Sequence, residues 1–159
     1  MSRRPWWRLA GSLLLFAAGG VAWFVAQNRI YPAGVDARAD IRQAEQRASR
    51  QHKRVLVVFG AEWCYDCHVL DRAFKRPEVA SVLSENYELV HVDVGAGDKN
   101  QDLMKECQVP MQQGIPAIAI LESGGRLIYS QKNGEFEKAR RLTSAALVDF
   151  LNKWKFRAS

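Results

Sequence analysis

Residues 55–68 read VLVVFGAEWCYDCH, a short apolar run followed closely by two cysteines three positions apart. Val55–Phe59 is rich in β-branched residues and is followed by Gly60, which predicts a buried strand. Residues at positions i and i+3 share one turn of a helix, so Cys64 and Cys67 are close enough to form a disulfide. This stretch therefore predicts a strand that leads into a helix with a thiol pair at its start.

The two cysteines are predicted to differ in reactivity. A helix that begins near Cys64 places its sulfur by unpaired backbone N–H groups and by the positive end of the helix dipole. Both favour the thiolate and lower the thiol pKa from its ordinary value of about 8.5. Cys67 lies one turn further in and keeps its proton longer. We therefore predict that Cys64 is the attacking nucleophile and Cys67 the resolving thiol of a thiol–disulfide exchange.

The chain from residue 36 alternates between helical and strand patterns. Asp36 is expected to cap a helix that runs to about Gln51. The other predicted elements are a helix from Cys64 to before Pro77, a helix over 78–85, a strand over 88–94, a helix over 101–107, a hairpin of strands 115–121 and 127–130, and a helix capped by Ser144. This order predicts an α/β fold with a central mixed sheet, a parallel first strand pair and helices on both faces.

These motifs resemble the thioredoxin superfamily, particularly its exported or membrane-tethered members. The resemblance covers about residues 36–157. It rests on Ala61–Cys67 (AEWCYDC) after a buried strand, on Val92–Val94 (VDV), and on Gly114–Ala117 (GIPA) at the opening of the next strand. It implies a thioredoxin fold and protein-disulfide oxidoreductase activity on protein thiols and disulfides, with no cofactor and no metal.

The resemblance also implies roles for residues outside the cysteine pair. The Ile115–Pro116 bond would be cis and face the dithiol, and the Ile115 backbone would pair with an extended substrate segment. Thioredoxins often carry a buried Asp six residues before the nucleophile, but this chain has Val58 there. Glu62, Asp66 or a water molecule could take its place as the acceptor of the resolving thiol's proton.

Several residues around the pair have predicted supporting roles. The negative charge of Asp66, between the cysteines, is expected to raise the pKa of the Cys64 thiol and favour a reducing potential. Trp63 and Tyr65 are expected to cover the site, and Glu62 and Asp66 can also be simply solvated. We interpret the third cysteine, Cys107, as a small buried hydrophobe. The remaining histidines outside the motif, His52 and His91, are interpreted as structural or solvated.

The N-terminal segment is predicted to be a membrane anchor. Leu9–Ala26 is an uncharged run of eighteen residues, and as a helix it would be about 27 Å long, enough to cross a hydrocarbon core. The preceding Arg3, Arg4 and Arg8 favour a cytoplasmic N-terminus. Aromatic rings suited to the membrane interface flank the run, namely Trp6, Trp7, Trp23 and Tyr31.

The predicted organisation is a cytoplasmic N-terminus over 1–8, a transmembrane anchor over 9–26, a linker over 27–35 and a domain over 36–159. This makes a single-pass protein of a bacterial inner membrane, with its domain in the periplasm and residues 9–26 in contact with lipid. One alternative is a signal peptide cleaved at Gly20-Val21-Ala22, which would leave a soluble periplasmic protein. A twin-arginine export signal at Ser2-Arg3-Arg4 is a second alternative.

The composition and charge of the chain exclude other classes of protein. With 48% hydrophobic and 25% charged residues, its 159 residues can build a folded core and do not form a disordered chain. The net charge of +6 invites a nucleic-acid interpretation. However, residues 55–159 carry thirteen basic and fourteen acidic side chains, so they offer no basic face. We therefore predict no nucleic-acid partner.

The same motif permits other functions. Cys64-Tyr65-Asp66-Cys67-His68 matches the C-x-x-C-H attachment motif of c-type haem. Cys64, Cys67 and His68 could instead hold a metal ion such as copper. A redox-silent peptide-binding domain is a third possibility. The oxidoreductase reading remains our hypothesis, acting as a reductase or isomerase, and a reductase needs an upstream membrane or periplasmic partner to regenerate its dithiol.

Overall fold

The computed structural model describes residues 29–157. The predicted cytoplasmic segment and the predicted anchor over 9–26 lie outside the described residues. Among residues 29–157, no helix is both long and apolar enough to span a membrane.

Helices and strands alternate along the described chain in the predicted order. In sequence they are α1 (Ala37–Gln51), β1 (Arg54–Gly60), α2 (Tyr65–Phe74), α3 (Pro77–Asn86), β2 (Tyr87–Asp93), α4 (Gln101–Glu106), β3 (Ala117–Leu121), β4 (Leu127–Ser130) and α5 (Ser144–Trp154), with single 3-10 turns at Met111–Gln113 and Ala139–Arg141. Asp36 caps α1 as predicted, because its side chain accepts a hydrogen bond from the Ala39 N–H at 3.0 Å.

The four strands form one mixed sheet in the order β2-β1-β3-β4. β1 pairs in parallel with β2 and antiparallel with β3, and β3 pairs antiparallel with β4. The predicted mixed sheet and its parallel first pair are therefore confirmed. Since β1 lies inside the sheet and both faces are covered, Val55–Phe59 are all buried.

Helices cover both faces of this sheet. On one face, α1 presents Ala37, Ile41, Ala44 and Ala48 to the sheet, and these small side chains let the helix approach the strands closely. On the other face, α2, α3 and α5 pack through a second apolar cluster that includes Leu56, Val58 and Ile118. The cysteine pair lies at the edge of this second layer, where β1 ends and α2 begins.

The basic residues of α1 make ion pairs with neighbouring elements. Arg38 reaches Asp102 of α4 at 2.6 Å and Glu106 at its end at 2.8 Å, and Arg47 reaches Glu88 of β2 at 2.7 Å. Such partly exposed pairs contribute little to stability individually. They provide partners within the domain for two of the basic side chains that precede residue 55, Arg38 and Arg47.

The element boundaries lie within one or two residues of the predicted ones, and three of the differences have a clear physical reason. α5 is capped by Thr143 and not by Ser144, because the Thr143 hydroxyl accepts the Ala146 N–H at 3.1 Å. β3 begins at Ala117, two residues later than predicted, since Pro116 has no N–H to give to a strand ladder. α4 ends at Glu106, so the predicted last residue, Cys107, is its C-terminal cap.

Candidate active site

The sheet and α2 together position the cysteine pair. β1 ends at Gly60, a turn follows, and Cys64 is the N-terminal cap of α2. A disulfide joins Cys64 to Cys67, with their Cα atoms 5.2 Å apart. Cys64 is 5% exposed and Cys67 1% exposed. The pair is thus at the helix start, as predicted, with the second sulfur almost wholly enclosed.

The backbone of α2 is arranged to stabilise negative charge on Cys64. The Cys67 N–H lies 3.1 Å from Cys64 Sγ and donates to it. This N–H is one of the helix-terminal donors that have no carbonyl partner within the helix. Together with the positive end of the helix dipole, it favours a thiolate at Cys64 once the disulfide is reduced.

The Ile115–Pro116 peptide bond is cis and faces this pair. The Ile115 carbonyl oxygen lies 3.7 Å from Cys64 Sγ, and Ile115 packs against the cluster that contains both cysteines. Because Cys64 carries no proton in the disulfide, this is a contact and not a hydrogen bond. The conformation expected from the resemblance is therefore present next to the nucleophile.

Two aromatic side chains beside the pair are exposed to solvent. Trp63 is 69% exposed and Tyr65 66% exposed. The Trp63 indole N–H donates to the Gly95 carbonyl at 2.9 Å, which holds the ring over the loop that follows β2. The residues on both sides of Cys64 in the chain therefore present aromatic rings to solvent instead of covering the disulfide.

The two carboxylates near the pair are both engaged by other groups. Asp66 accepts the backbone N–H of Arg140 at 3.0 Å and also pairs with the Arg140 guanidinium. Its charge is thus partly balanced, which weakens the effect on Cys64 expected from the sequence. Glu62 accepts the Tyr31 N–H at 3.2 Å. Among residues 29–157, neither carboxylate forms a hydrogen bond with Cys67.

A buried polar cluster behind the disulfide was missed by sequence analysis. Tyr31, for which the sequence predicts a place at the membrane interface, is instead 3% exposed and packs with both cysteines inside the domain. Its ring lies edge-on to that of His91, with ring centroids 5.3 Å apart. Asp71 of α2 is 8% exposed and lies 3.9 Å from His91 Nε2. Val58, where the family often has an acid, is buried among apolar side chains.

Part of this cluster had a signal in the sequence. Asp71 follows Cys67 by four positions on a predicted helix, so the two share a helix face. His91 lies in the predicted strand that runs parallel to the strand of Val58, and the register pairs these two residues. Tyr31 had no such signal, because no periodic pattern connects it to the domain.

The third cysteine lies apart from the pair. Cys107 is buried in the apolar layer between the sheet and α1. Burial, and secondarily the charge of Glu106, raises the pKa of its thiol to about 11. This thiol is therefore protonated at neutral pH and a poor nucleophile, in agreement with a structural role.

His68 makes a local contact in the structure. One of its ring nitrogens, Nε2, lies 2.7 Å from the Glu62 carbonyl oxygen, which the imidazole can engage as a donor. Within residues 29–157, no group of three His, Cys, Asp or Glu side chains is placed to hold a metal ion. The donor set named for the metal alternative, Cys64, Cys67 and His68, is therefore not assembled among these residues.

Comparison with known proteins identifies the family. A family profile described as thioredoxin-like matches residues 36–123. Curated protein sequences give no significant match. Among solved structures, a disulphide isomerase from Xylella fastidiosa Temecula1 is 35% identical, with a TM-score of 0.74 over 80% of this chain and 98% of that chain.

Two more distant structures share the fold. The oxidised C-terminal domain of DsbD from Neisseria meningitidis is 20% identical, with a TM-score of 0.57 over 77% of this chain and 97% of that chain. A thioredoxin from Thermus thermophilus is 19% identical, with a TM-score of 0.52 over 70% of this chain and 80% of that chain. With its C-x-x-C pair at the start of α2, the chain belongs to the thioredoxin-like family of protein-disulfide oxidoreductases.

Proposed function

We propose that this protein is a membrane-tethered reductase or isomerase of protein disulfides that works outside the cytoplasm. The observation that carries the proposal is the asymmetry of the cysteine pair. Cys64 Sγ receives a helix-terminal N–H and faces the Ile115 carbonyl, whereas Cys67 is enclosed one turn further in. One sulfur is thus prepared to attack a substrate, and the other to react only with its neighbour.

The proposed reaction is a two-step thiol–disulfide exchange. The Cys64 thiolate attacks one sulfur of a substrate disulfide, which forms a mixed disulfide and releases the other substrate sulfur as a thiolate. Cys67 then attacks Cys64 Sγ, which releases the second substrate sulfur and leaves a Cys64–Cys67 disulfide. Two electrons pass from the dithiol to the substrate. An isomerase releases its substrate by the reverse of the first step, whereas a reductase needs an upstream partner to restore the dithiol.

The surroundings of Cys64 support a protein substrate. The exposed rings of Trp63 and Tyr65, the neighbours of Cys64 in the chain, can pack on apolar side chains of a partially unfolded chain. The backbone of Ile115 lies next to Cys64, where an extended segment could pair with it. The 35% identical relative from Xylella is described as a disulphide isomerase, which supports this class of substrate.

Trapping of the mixed disulfide tests the proposed reaction. A Cys67→Ser variant, expressed as the full chain in its native membrane, should hold protein substrates on Cys64 as adducts that reductant releases. The matched control is the Cys64→Ser, Cys67→Ser double variant, which should hold none. The hypothesis fails if Cys67→Ser gives no adducts on non-reducing gels and if Cys64→Ser reduces disulfides as well as the wild type does.

The proposed location rests on the sequence of the N-terminal segment. The apolar run over 9–26 follows three arginines and is long enough to cross a bilayer. We expect the mature protein to sediment with membranes and to retain residues 1–26. A mature N-terminus near Trp23 in a soluble fraction would instead show that the segment is a cleaved signal peptide.

A further inference from the structure

We propose that Tyr31, His91 and Asp71 form the proton acceptor for the resolving thiol, with the Tyr31 hydroxyl linking Cys67 to the His91 imidazole. This inference rests on the proposed dithiol exchange, and it assigns a role to residues that lie outside the C-x-x-C motif. Tyr31 carries the proton between Cys67 and His91, and Asp71 acts as a positioning residue for His91.

The resolving step requires an acceptor near Cys67. A thiol must become a thiolate before it attacks a disulfide, and Cys67 is only 1% exposed, so bulk water has little access to it. Val58 offers no polar atom. Asp66 is held by Arg140, and Glu62 is bonded to the Tyr31 backbone.

The side chain of Tyr31 reaches the neighbourhood of the sulfur. A Cβ atom built on Gly60 would overlap the Tyr31 hydroxyl and would lie 2.9 Å from Cys67 Sγ. The hydroxyl and the sulfur therefore both pack against Gly60, which has no side chain. Only a glycine at the end of β1 leaves room for both groups, which places a buried hydroxyl beside the resolving cysteine.

His91 and Asp71 extend the cluster from the Tyr31 ring. His91 contacts the ring edge-on, and the strand register sets it beside Val58 and sets Asp93 beside Gly60. Asp71 Oδ1 lies 3.9 Å from His91 Nε2, and Asp71 Oδ2 accepts a hydrogen bond from Lys75. The cluster thus brings together a hydroxyl near the Cys67 sulfur, an imidazole against the ring that carries this hydroxyl, and a carboxylate next to the imidazole.

The charges around the cluster support proton acceptance by His91. Burial lowers the pKa of His91, while the negative Asp71 opposes this effect and the positive Lys75 adds to it. The imidazole is therefore neutral at pH 7, and the nearby carboxylate stabilises the imidazolium that forms when it accepts a proton.

Tyr31 keeps its hydroxyl proton under the same conditions. Burial raises the pKa of Tyr31, and the negative charges of Asp71, Glu62 and Asp93 raise it further. A protonated hydroxyl can accept one proton and pass on another. At the sheet edge, His91 also borders an open cleft with Arg29 from the N-terminal segment and Asp40 and Arg47 from α1, through which a proton can exchange with solvent.

The proposed step balances in protons and electrons. In the mixed disulfide, Cys67 gives its S–H proton to the Tyr31 oxygen as the hydroxyl proton moves to His91. The Cys67 thiolate then attacks Cys64 Sγ, the new sulfur–sulfur bond forms, and the bond from Cys64 to the substrate breaks. The departing substrate thiolate takes its proton from solvent, and the imidazolium releases its own to solvent.

Ellman's reagent separates the two steps in the reduced full chain. Attack by Cys64 releases one equivalent of thionitrobenzoate at a rate that depends on reagent concentration. Attack by Cys67 then releases a second equivalent at a rate that is independent of reagent concentration. Cys67→Ser should abolish this second phase. In the wild type, the rate of the second phase should be constant at pH values above the His91 pKa, which lies below 6.5. The rate should fall as the pH is lowered through this pKa, because the acceptor becomes protonated.

Two conservative variants test the acceptor. His91→Gln should slow the second phase roughly 100-fold at pH 7 and make its rate rise with pH through the neutral range, because Cys67 must then ionise unaided. Tyr31→Phe should slow the same phase about 10-fold, since it removes the hydroxyl that carries the proton from Cys67 to His91. The first phase should be unchanged in both. Tyr87→Phe is the matched control, since it removes a buried hydroxyl that bonds to Leu151 far from the pair.

The outcomes separate this proposal from the proposed function. A second phase of wild-type rate and pH profile in His91→Gln and Tyr31→Phe overturns the proton acceptor and leaves the dithiol exchange standing. Equal slowing of both phases with an unchanged pH profile also overturns it, because that pattern indicates a general loss of packing. A wild-type protein with no second phase overturns the exchange itself, and this proposal with it.

Discussion

At the scale of single residues, the contact between Asp66 and Arg140 sets the charge next to the nucleophile. Asp66 lies between the cysteines and is bound by both the backbone and the guanidinium of Arg140. Removal of the guanidinium would leave the carboxylate unbalanced beside the Cys64 thiolate. The reduced form would then be less stable relative to the disulfide.

We therefore expect Arg140→Gln to make the redox potential more negative, by on the order of 10–30 mV, since a tenfold change in the equilibrium constant of this couple is about 30 mV. The small size follows from the exposure of Arg140, which is about half accessible to solvent. Equilibration with glutathione buffers, followed by alkylation of free thiols, measures the shift.

Two further variants control for general effects of charge. Arg141→Gln removes the same charge from the exposed neighbouring position and should leave the potential nearly unchanged. Asp66→Asn should shift it to a less negative value, and most of the Arg140 effect should disappear when Asp66 is absent. Equal shifts in Arg140→Gln and Arg141→Gln would contradict a specific role for the contact.

The cysteine pair could be located from the sequence because its determinants are local. Cys64 and Cys67 follow a strand of β-branched residues, and the spacing alone puts them on one helical turn. The cis bond before Pro116 was foreseen from the resemblance. The partners of Asp66 and Glu62 could not be foreseen, because Arg140 and Tyr31 are 74 and 31 positions away and no pattern links them.

At the scale of the elements, the start of α5 shows how two adjacent hydroxyls compete for one role. Ser144 and Thr143 can both serve as an N-terminal cap. In the structure, Thr143 has an extended backbone and accepts the Ala146 N–H, whereas Ser144 is the first residue of the helix. The Ser144 hydroxyl instead accepts a hydrogen bond from the Arg76 guanidinium at the start of α3.

We expect Thr143→Ala to lower the free energy of unfolding by about 1 kcal/mol, because the Ala146 N–H loses its acceptor. Ser144→Ala should cost less than about 0.5 kcal/mol, since it removes an exposed contact from a position with helical geometry. Urea denaturation of the two variants beside the wild type measures both changes. If Ser144→Ala lowers the free energy of unfolding more than Thr143→Ala does, Ser144 is the cap of α5, as the sequence predicts.

Most elements could be predicted because their apolar periods are strong. The continuous apolar run of β1, the alanine face of α1 and the Gly124-Gly125 turn of the hairpin are each a clear local pattern. The boundaries at Ala117 and Cys107 were displaced because they depend on contacts between elements. Pro116 is directed to the cysteine pair and not to the strand ladder, and Cys107 packs beneath α1.

At the scale of the whole molecule, the positive charge is distributed unevenly along the chain. Residues 1–35 carry Arg3, Arg4, Arg8 and Arg29 and no acid. Two basic side chains of α1, Arg38 and Arg47, pair with acids of α4 and β2, and residues 55–159 are nearly neutral. The net charge of +6 therefore supports the proposed orientation in a membrane and does not indicate a nucleic-acid partner.

The segment before α1 contributes directly to the folded domain. Tyr31 fills the space above Gly60, and Ile30 packs against the same cluster. The predicted linker over 27–35 thus contains a core residue, although the sequence pattern places the first element at residue 36. A domain defined to begin at Asp36 would lack the side chain that closes the layer behind the cysteine pair.

We expect a fragment over 36–159 to be less stable than a fragment over 29–159 by about 2–4 kcal/mol, since it loses a buried aromatic side chain and leaves a cavity next to Gly60. Tyr31→Ala in the longer fragment should reproduce most of this loss, whereas Val35→Ala, at an exposed position in the same segment, should have little effect. Urea denaturation of the oxidised proteins provides the comparison. Equal midpoints for the two fragments would mean that residues 29–35 contribute nothing to stability, and that the contacts of Tyr31 do not stabilise the fold.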